Sequence, residues 1–260
     1  MSKNVIFCFS GSGNCLDIAK NIARQLRDTD IVMMRGEPVI TDVRKAERVG
    51  FVVPCFAGGL PGDVEKYISR IQVSSGCYTF GVVSYAGYPG LGLSVIDKYI
   101  PLLYHAGISH HCSCIWLFPH FLTMPPLSVE KSQHRSEKLA EKIGKDILAG
   151  KFKKFAPASN PINALEASVW PKLCGKKAEK MQVSAACVGC GQCVRLCPKG
   201  NIRLRDGRAE IGSNCIQCLS CLQFCPVQAI DLGGLSVKRQ RYHNIKITPE
   251  ELCEKLIHIP

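Results

Sequence analysis

Cys187-Val-Gly-Cys190-Gly-Gln-Cys193-Val-Arg-Leu-Cys197-Pro198 and Cys215-Ile-Gln-Cys218-Leu-Ser-Cys221-Leu-Gln-Phe-Cys225-Pro226 are one pattern written twice, C-x2-C-x2-C-x3-C-P, with equivalent cysteines 28 residues apart. Three thiolates at steps of three residues can wrap one corner of an iron–sulfur cube. The run is too tight to reach the remaining iron, so a fourth ligand must come from elsewhere. Zinc and a disulfide framework are the competing readings. Tetrahedral zinc sites use two cysteine pairs separated by a longer spacer, whereas here three cysteines crowd into seven residues, twice. Nothing marks the chain as secreted, the setting in which a disulfide framework is expected. The spacing favours iron–sulfur chemistry.

Working outward, the other eight of the 16 cysteines (Cys8, Cys15, Cys55, Cys77, Cys112, Cys114, Cys174 and Cys253) are scattered in apolar or loop contexts. Met1-Ser-Lys-Asn-Val runs almost at once into a strand-like stretch, so no signal peptide is expected. No run of 18 apolar residues exists, so no transmembrane helix is expected either. Free thiols and iron–sulfur sites fit a reducing cytoplasm. The formal charge is +12, made of +2 over residues 1–100, +6 over 101–180 and +4 over 181–260. Two oxidised clusters with their thiolates would contribute about −4 to this balance. The excess is thickest at Lys151, Lys153, Lys154, Lys172, Lys176, Lys177 and Lys180, and reads first as a solvated linker. Such a surface can also steer an acidic redox partner. No nucleic-acid partner is expected.

At the N-terminus, Val5-Ile-Phe-Cys-Phe9 is an apolar strand-like run, followed by Ser10-Gly11-Ser12-Gly13-Asn14-Cys15 and then by Leu16, Ile18, Ala19, Ile22, Ala23 and Leu26 at helical spacing. A strand, a small-residue loop and a helix start are the parts of an anion site, with the positive helix end and loop N–H groups facing a phosphate. Gly11 and Gly13 permit close backbone approach. The loop has neither the lysine of a Walker motif nor the G-x-G-x-x-G spacing. Further strands are expected at 31–34, 48–53, 78–83 and 114–118, with helices over 63–71, 91–106 and 128–149. Alternation of this kind argues for a parallel sheet covered on both faces. Ligands then bind beyond the carboxyl ends of the strands, where the loops 10–15, 54–60 and 84–90 fall.

On these residues the chain resembles two known families. The doubled cysteine run is similar to that of two-cluster ferredoxins, in which the fourth cysteine of each run ligates the other cluster. That resemblance implies cluster I on Cys187, Cys190, Cys193 and Cys225, and cluster II on Cys215, Cys218, Cys221 and Cys197, with Pro198 and Pro226 turning the chain away. The N-terminal part resembles a flavodoxin, whose phosphate loop runs T/S-x-T/S-G-x-T/S after the first strand; Ser10, Ser12, Gly13 and the helix start at Asn14–Cys15 occupy those places. It implies an FMN cofactor whose phosphate lies on Ser10, Gly11, Ser12, Gly13, Asn14 and Cys15. Cys15 stands where a hydroxyl is usual, which weakens one phosphate hydrogen bond. The ring would be flanked by Pro54, Cys55, Phe56, Ala57 and Gly58 on one side, and by Ser84, Tyr85, Ala86, Gly87 and Tyr88 on the other, with Phe56, Tyr85 or Tyr88 as stacking rings. Together the two parts resemble the bacterial and archaeal family that fuses a flavodoxin-like domain to a dicluster ferredoxin.

The expected organisation is therefore α/β: a flavodoxin-like doubly wound parallel five-stranded sheet (1–150), a basic proline-containing linker (151–183) with an apolar part packing between domains, a small α+β dicluster 4Fe–4S ferredoxin domain (184–234) and a C-terminal tail (235–260). The tail carries a short helix from Pro249, started by Thr248. His110-His111-Cys112-Ser-Cys114 reads as structural and not as a metal site, for want of a complementary partner. No Ser–His–Asp order or paired-carboxylate motif appears, so no catalytic residue is assigned. Three functions follow: an electron carrier relaying between two clusters, FMN and a soluble partner; an FMN-dependent reductase of a small substrate, with Tyr85 or Tyr88 as proton donor; and a flavin-free iron–sulfur module.

Overall fold

A computed structural model describes residues 2–110, 129–154, 164–170, 174, 179–234, 236 and 241–260. The first strand, β1 (Asn4–Cys8), is buried along its whole length and sits mid-sheet. Its parallel neighbours are β2 (Thr29–Met33) and β4 (Arg48–Pro54), in a register that sets Phe7 beside both Val32 and Phe51. Outside β4 come β6 (Tyr78–Tyr85) and then β7 (Tyr104–Ser109), both parallel. A short parallel pair, β3 (Thr41–Asp42) and β5 (Ile71–Gln72), stands apart from this sheet. The five long parallel strands thus run β2-β1-β4-β6-β7, the doubly wound order of flavodoxins, whose switch point lies between the first strand and the next one added beyond it.

Both faces of the sheet are covered, which is why its strands read as near-continuous apolar runs. Ile6, Cys8, Val52, Val82 and Ala106 face α1 (Asn14–Leu26) and α4 (Val129–Leu148). Val5, Phe7, Phe51, Val53 and Val83 face α2 (Val64–Ile68) and α3 (Gly92–Tyr99). Among the described residues no helix is long and apolar enough to cross a membrane.

Two expectations change. The helix expected over 91–106 stops at Tyr99, because Pro101 cannot extend it; the following Tyr104–Ser109 is the fifth parallel strand. The strand expected at 114–118 lies outside the described residues. The sheet also has six strands, not five. The sixth, β12 (Leu256–Ile259), comes from the C-terminal tail and pairs antiparallel with β2, Ile257 opposite Ile31. It leaves α8 (Pro249–Cys253), whose start is a reciprocal capping box between Thr248 and Glu251. An edge strand of alternating exposure satisfies the outer N–H and C=O groups of β2, which would otherwise be open to pairing.

The cysteine-rich part has its own small core of Met181, Ile202, Leu222, Ile230 and Leu232. Its strands are the antiparallel pair β8 (Met181–Val183) and β11 (Ile230–Leu232), and the hairpin β9 (Ile202–Arg205) and β10 (Arg208–Ile211). Asp206 and Gly207 turn the hairpin with φ of 50° and 74°, as a two-residue turn matched to strand twist requires. Residues 164–170 form a further helix, α5.

Candidate functional site

Each cysteine run contributes one short helix, α6 (Gln192–Leu196) carrying Cys193 and α7 (Ser220–Gln223) carrying Cys221. Cys187, Cys190, Cys193 and Cys225 line one small cavity. Cys197, Cys215, Cys218 and Cys221 line a second. The fourth cysteine of each run therefore stands with the other run's triplet. Backbone N–H groups of Asn201, Gln217 and Ala229 donate to the sulfurs of Cys197, Cys215 and Cys225 at 3.3, 3.3 and 3.2 Å. Amide donors of this kind favour the thiolate form. The N–H groups of Ala209 and then Gly189 lower the Cys187 thiol, while burial pushes Cys218 up to about 11 and raises Cys221 well above the ordinary thiol value. Among the described residues no three His, Cys, Asp or Glu side chains stand close enough to share one ion. Each set of four thiols surrounds a volume, not a point. An all-sulfur donor set suits iron–sulfur or zinc alike; thiols that line a cage without converging on one point fit a 4Fe–4S cube better than a single ion.

Beyond the carboxyl ends of the strands a single cleft collects the three loops named from the sequence. Ser10, Gly11, Ser12, Asn14 and Cys15 line it after β1; Pro54 to Gly58 line it after β4; Ser84 to Tyr88 line it after β6. Gly13 does not line it. The second loop is a tight turn with Ala57 and Gly58 at φ of 43° and 79°, closed by reciprocal backbone bonds between Phe56 and Gly59 at 2.9 Å. The third loop rests on it, the Leu91 N–H donating to the Gly58 carbonyl at 2.7 Å. Phe56 meets Phe9 edge to face at 6.3 Å between centroids, which fixes its ring.

The first loop is held from outside as well as within. The Gly13 N–H donates to Ser10 Oγ at 3.1 Å. Gly13 opens α1 in the left-handed region, φ 93°, and a Cβ there would meet Asn244 and Ile247 at 3.1 and 3.0 Å. A Cβ on Gly11 would lie 2.3 Å from the Cys218 carbonyl oxygen. Both glycines do serve close approach, but the partners are the cysteine loop and the C-terminal tail. Ser220 Oγ donates to the Gly11 carbonyl (2.9 Å), the Asn244 N–H to the Ser12 carbonyl (2.8 Å), and the Tyr242 hydroxyl to Asn14 Oδ1 (2.7 Å). Asn244 Nδ2 also donates to Asp17 Oδ2 at 3.1 Å. Burial raises the Asp17 carboxyl, against the lowering by that Asn244 bond. The first turn of α1 still leaves N–H groups with no acceptor inside the helix, and these with the Ser12 hydroxyl are the anion-type donors of the cleft. Cys15 is a core residue, its thiol raised far by burial and hydrogen-bonded with Ser84.

Sequence reasoning missed the rest of the wall. Glu166 and Trp170 come from α5, His110 from the end of β7, and Tyr242 from the tail. Gln217, Cys218, Leu219 and Gln223 come from the second cysteine run. Cys218 and Leu219 also line the second cysteine cage, so that cage and the cleft share a wall. His110 is buried, with Nε2 3.3 Å from Ser136 Oγ; the neighbouring His111, Cys112 and Cys114 lie outside the described residues. The only sequence signal for Gln217 and Leu219 is the repeat itself, which puts glycine at the matching positions 189 and 191.

Comparison with known proteins matches residues 186–230 to the 4Fe-4S dicluster domain. No curated protein matches the chain. Among solved structures, oxidised flavodoxin 1 from Bacillus cereus is 17% identical over 53% of this chain and 97% of its own, with a TM-score of 0.37. A flavodoxin of Streptococcus pneumoniae TIGR4 is 18% identical over 56% of this chain and 97% of its own, with a TM-score of 0.36. A flavoprotein in complex with FMN from Lactobacillus acidophilus NCFM is 11% identical over 41% of this chain and 93% of its own, with a TM-score of 0.33. The strand order and the matched segment together describe a flavodoxin-like sheet joined to a 4Fe–4S dicluster domain.

Proposed function

We propose that this chain is an electron relay in which two 4Fe–4S clusters and one FMN stand in fixed series. Cluster I would be held by Cys187, Cys190, Cys193 and Cys225, and cluster II by Cys197, Cys215, Cys218 and Cys221. FMN would occupy the cleft, its phosphate toward Ser10–Cys15 and its ring between the loops 54–58 and 84–88. The observation that carries the reading is the shared wall: Cys218 and Leu219 face both the second cage and the cleft. Cys190 is exposed whereas Cys221 is buried, so the first cage is the one open to a partner. FMN supplies the ability to take electrons singly or in pairs, and the protein supplies position and electrostatics. Here that means hydroxyl and N–H donors at the phosphate, two loops that fix the ring plane, and backbone amide donors aimed at the cysteine sulfurs.

The full chain, reconstituted without oxygen, should contain about eight iron and eight sulfide and one FMN, and should bind FMN more tightly than riboflavin, which lacks the phosphate. Rapid mixing with a one-electron reductant should bleach the clusters before the flavin. Intact clusters with no affinity for either flavin would leave an iron–sulfur module alone.

A second reading draws on a different observation, that Tyr85, Tyr88, His110 and Glu166 bring protic groups to the cleft. With FMN bound, a small substrate could be reduced there and protonated by one of them. Steady-state oxidation of the reduced protein by small acceptors, abolished by Tyr85→Phe or Tyr88→Phe, would support it over the relay.

A further inference from the structure

The two cysteine runs repeat in backbone as well as in sequence. In the first, Gly189 and Gly191 take left-handed φ values of 65° and 73°; in the second, Gln217 and Leu219 hold the same places at 55° and 62°. Glycine adopts this conformation freely, and a residue with a side chain does so at a cost in free energy. Strain of that kind persists where the surrounding structure over-determines the residue, and it clusters at active sites and ligand clamps. Both strained residues turn up in the wall of the cleft. Gln217 is only 2% exposed, and among the described residues neither its Oε1 nor its Nε2 has a hydrogen-bond partner. Leaving a buried carboxamide unmet at both ends is expensive. Its own N–H, meanwhile, is committed to Cys215 of the second cage at 3.3 Å.

We infer that Gln217 is a flavin-binding residue lent by the iron–sulfur domain, its carboxamide pairing with the adjacent C=O and N–H groups of the isoalloxazine imide edge. A carboxamide offers one donor and one acceptor side by side, which is the complement of an imide. The inference rests on the FMN reading above and adds the contact that recognises the ring. One residue then touches a cluster II ligand through its backbone and the flavin through its side chain. A donor on the imide carbonyl also stabilises the charge that the ring gains on reduction, so it raises the flavin potential.

The test uses the full chain with both clusters in place and two variants, Gln217→Gly and Gln217→Leu. The glycine variant restores the residue of the first repeat, so its iron content and thermal midpoint should equal or exceed those of the wild type. Both variants should raise the FMN dissociation constant about tenfold or more, the loss of at least ~1.4 kcal/mol. The riboflavin constant should rise by the same factor, because the contact is to the ring and not to the phosphate. The flavin potential should fall in both. Unchanged FMN affinity in two cluster-replete variants overturns the inference, and a shift confined to the cluster II signal would assign the carboxamide to cluster sulfur instead. A wild type that binds neither flavin overturns the FMN reading itself, an outcome distinct from a wild type that binds and variants that bind equally well.

Discussion

Replacing Gly11 with alanine isolates what that glycine does. Gly11 does not sit in the left-handed region, so alanine carries no backbone penalty there; the problem is purely spatial. Its Cβ would lie 2.3 Å from the Cys218 carbonyl oxygen and 3.3 Å from the carbonyl carbon. Reaching a tolerable 3.0 Å requires the two backbones to part by about 0.7 Å. Neither side yields easily, since Gly11 follows the buried β1 and Cys218 lies between Cys215 and Cys221 of the second cage. The same movement stretches the 2.9 Å bond from Ser220 Oγ to the Gly11 carbonyl beyond useful length. Overpacking costs roughly 1–3 kcal/mol, and the lost bond adds about 1 kcal/mol. A total of about 2–4 kcal/mol lowers the midpoint of a chain of this size by roughly 5–15 °C. Anaerobic calorimetry measures that fall, and electron paramagnetic resonance should show the cluster II signal broadened while cluster I is unchanged. Gly76→Ala is the control, for nothing lies within 4 Å of its Cβ position. A Gly11→Ala protein that melts with the wild type and keeps the cluster II spectrum would refute the contact between loop and cage.

Crossed ligation predicts that Cys225→Ala destroys the cluster bound to Cys187, Cys190 and Cys193, and that Cys197→Ala destroys the other; damage to the cluster nearer in sequence would reverse the assignment. Burial raises the Asp63 carboxyl, but the Lys199 ammonium from the cysteine-rich part outweighs it and holds the group below its ordinary range. The pair's stability is therefore present above the unfolded value of about 3.9 and is lost as pH falls through the lower folded value. Asp63→Asn should cost ~1.5–3 kcal/mol at neutral pH, and its difference from wild type in thermal unfolding should shrink below pH ~4; a difference independent of pH would contradict the pairing. Arg241, a partly buried cation whose neighbours include Asp231 and Cys225, favours the more negative reduced state of cluster I. Arg241→Gln should lower that cluster's midpoint by on the order of 50–100 mV, from ~1–2 kcal/mol of Coulomb attraction at an effective dielectric of ~20, as a redox titration would read; an unchanged midpoint rules out the tuning role.

Much of this was legible in the sequence, and the misses share a physical cause. The parallel strands and three loops were readable because a doubly covered sheet writes itself as unbroken apolar runs such as 5–9 and 48–53. The cages were readable because a cube dictates cysteine spacing. Beyond Tyr99 the apolar Leu102, Leu103, Tyr104 and Ala106 continue a helical period by chance, and Pro101 is the sign that ends the helix. The strand Leu256–Ile259 is four residues long, too short for periodicity to declare. The missing cleft walls, Gln217, Leu219, Trp170 and Tyr242, arise from docking between segments far apart in the chain. Gly11 shows the limit well: a glycine after a strand announces close approach, but which atom approaches, here the Cys218 carbonyl oxygen, is a tertiary fact.

The edge strand from the tail has a mechanical consequence. The cysteine-rich domain is bracketed by two pieces of one sheet, β7 with α4 before it and β12 after it, and Ser2 Oγ meets His258 Nδ1 at 3.2 Å where the tail strand returns beside the N-terminus. A domain appended at one end can pivot on its linker, whereas one hemmed in on both sides behaves as an elaborate loop of its host. Arg35 reinforces the clamp, donating to the carbonyls of Leu252 and Arg195 at 2.8 and 2.6 Å. In the proposed relay, electron transfer inside the chain would be set by a fixed gap, not by the frequency of a swinging arm. Its rate should be insensitive to solvent viscosity, leaving only the encounter with an outside partner to diffusion.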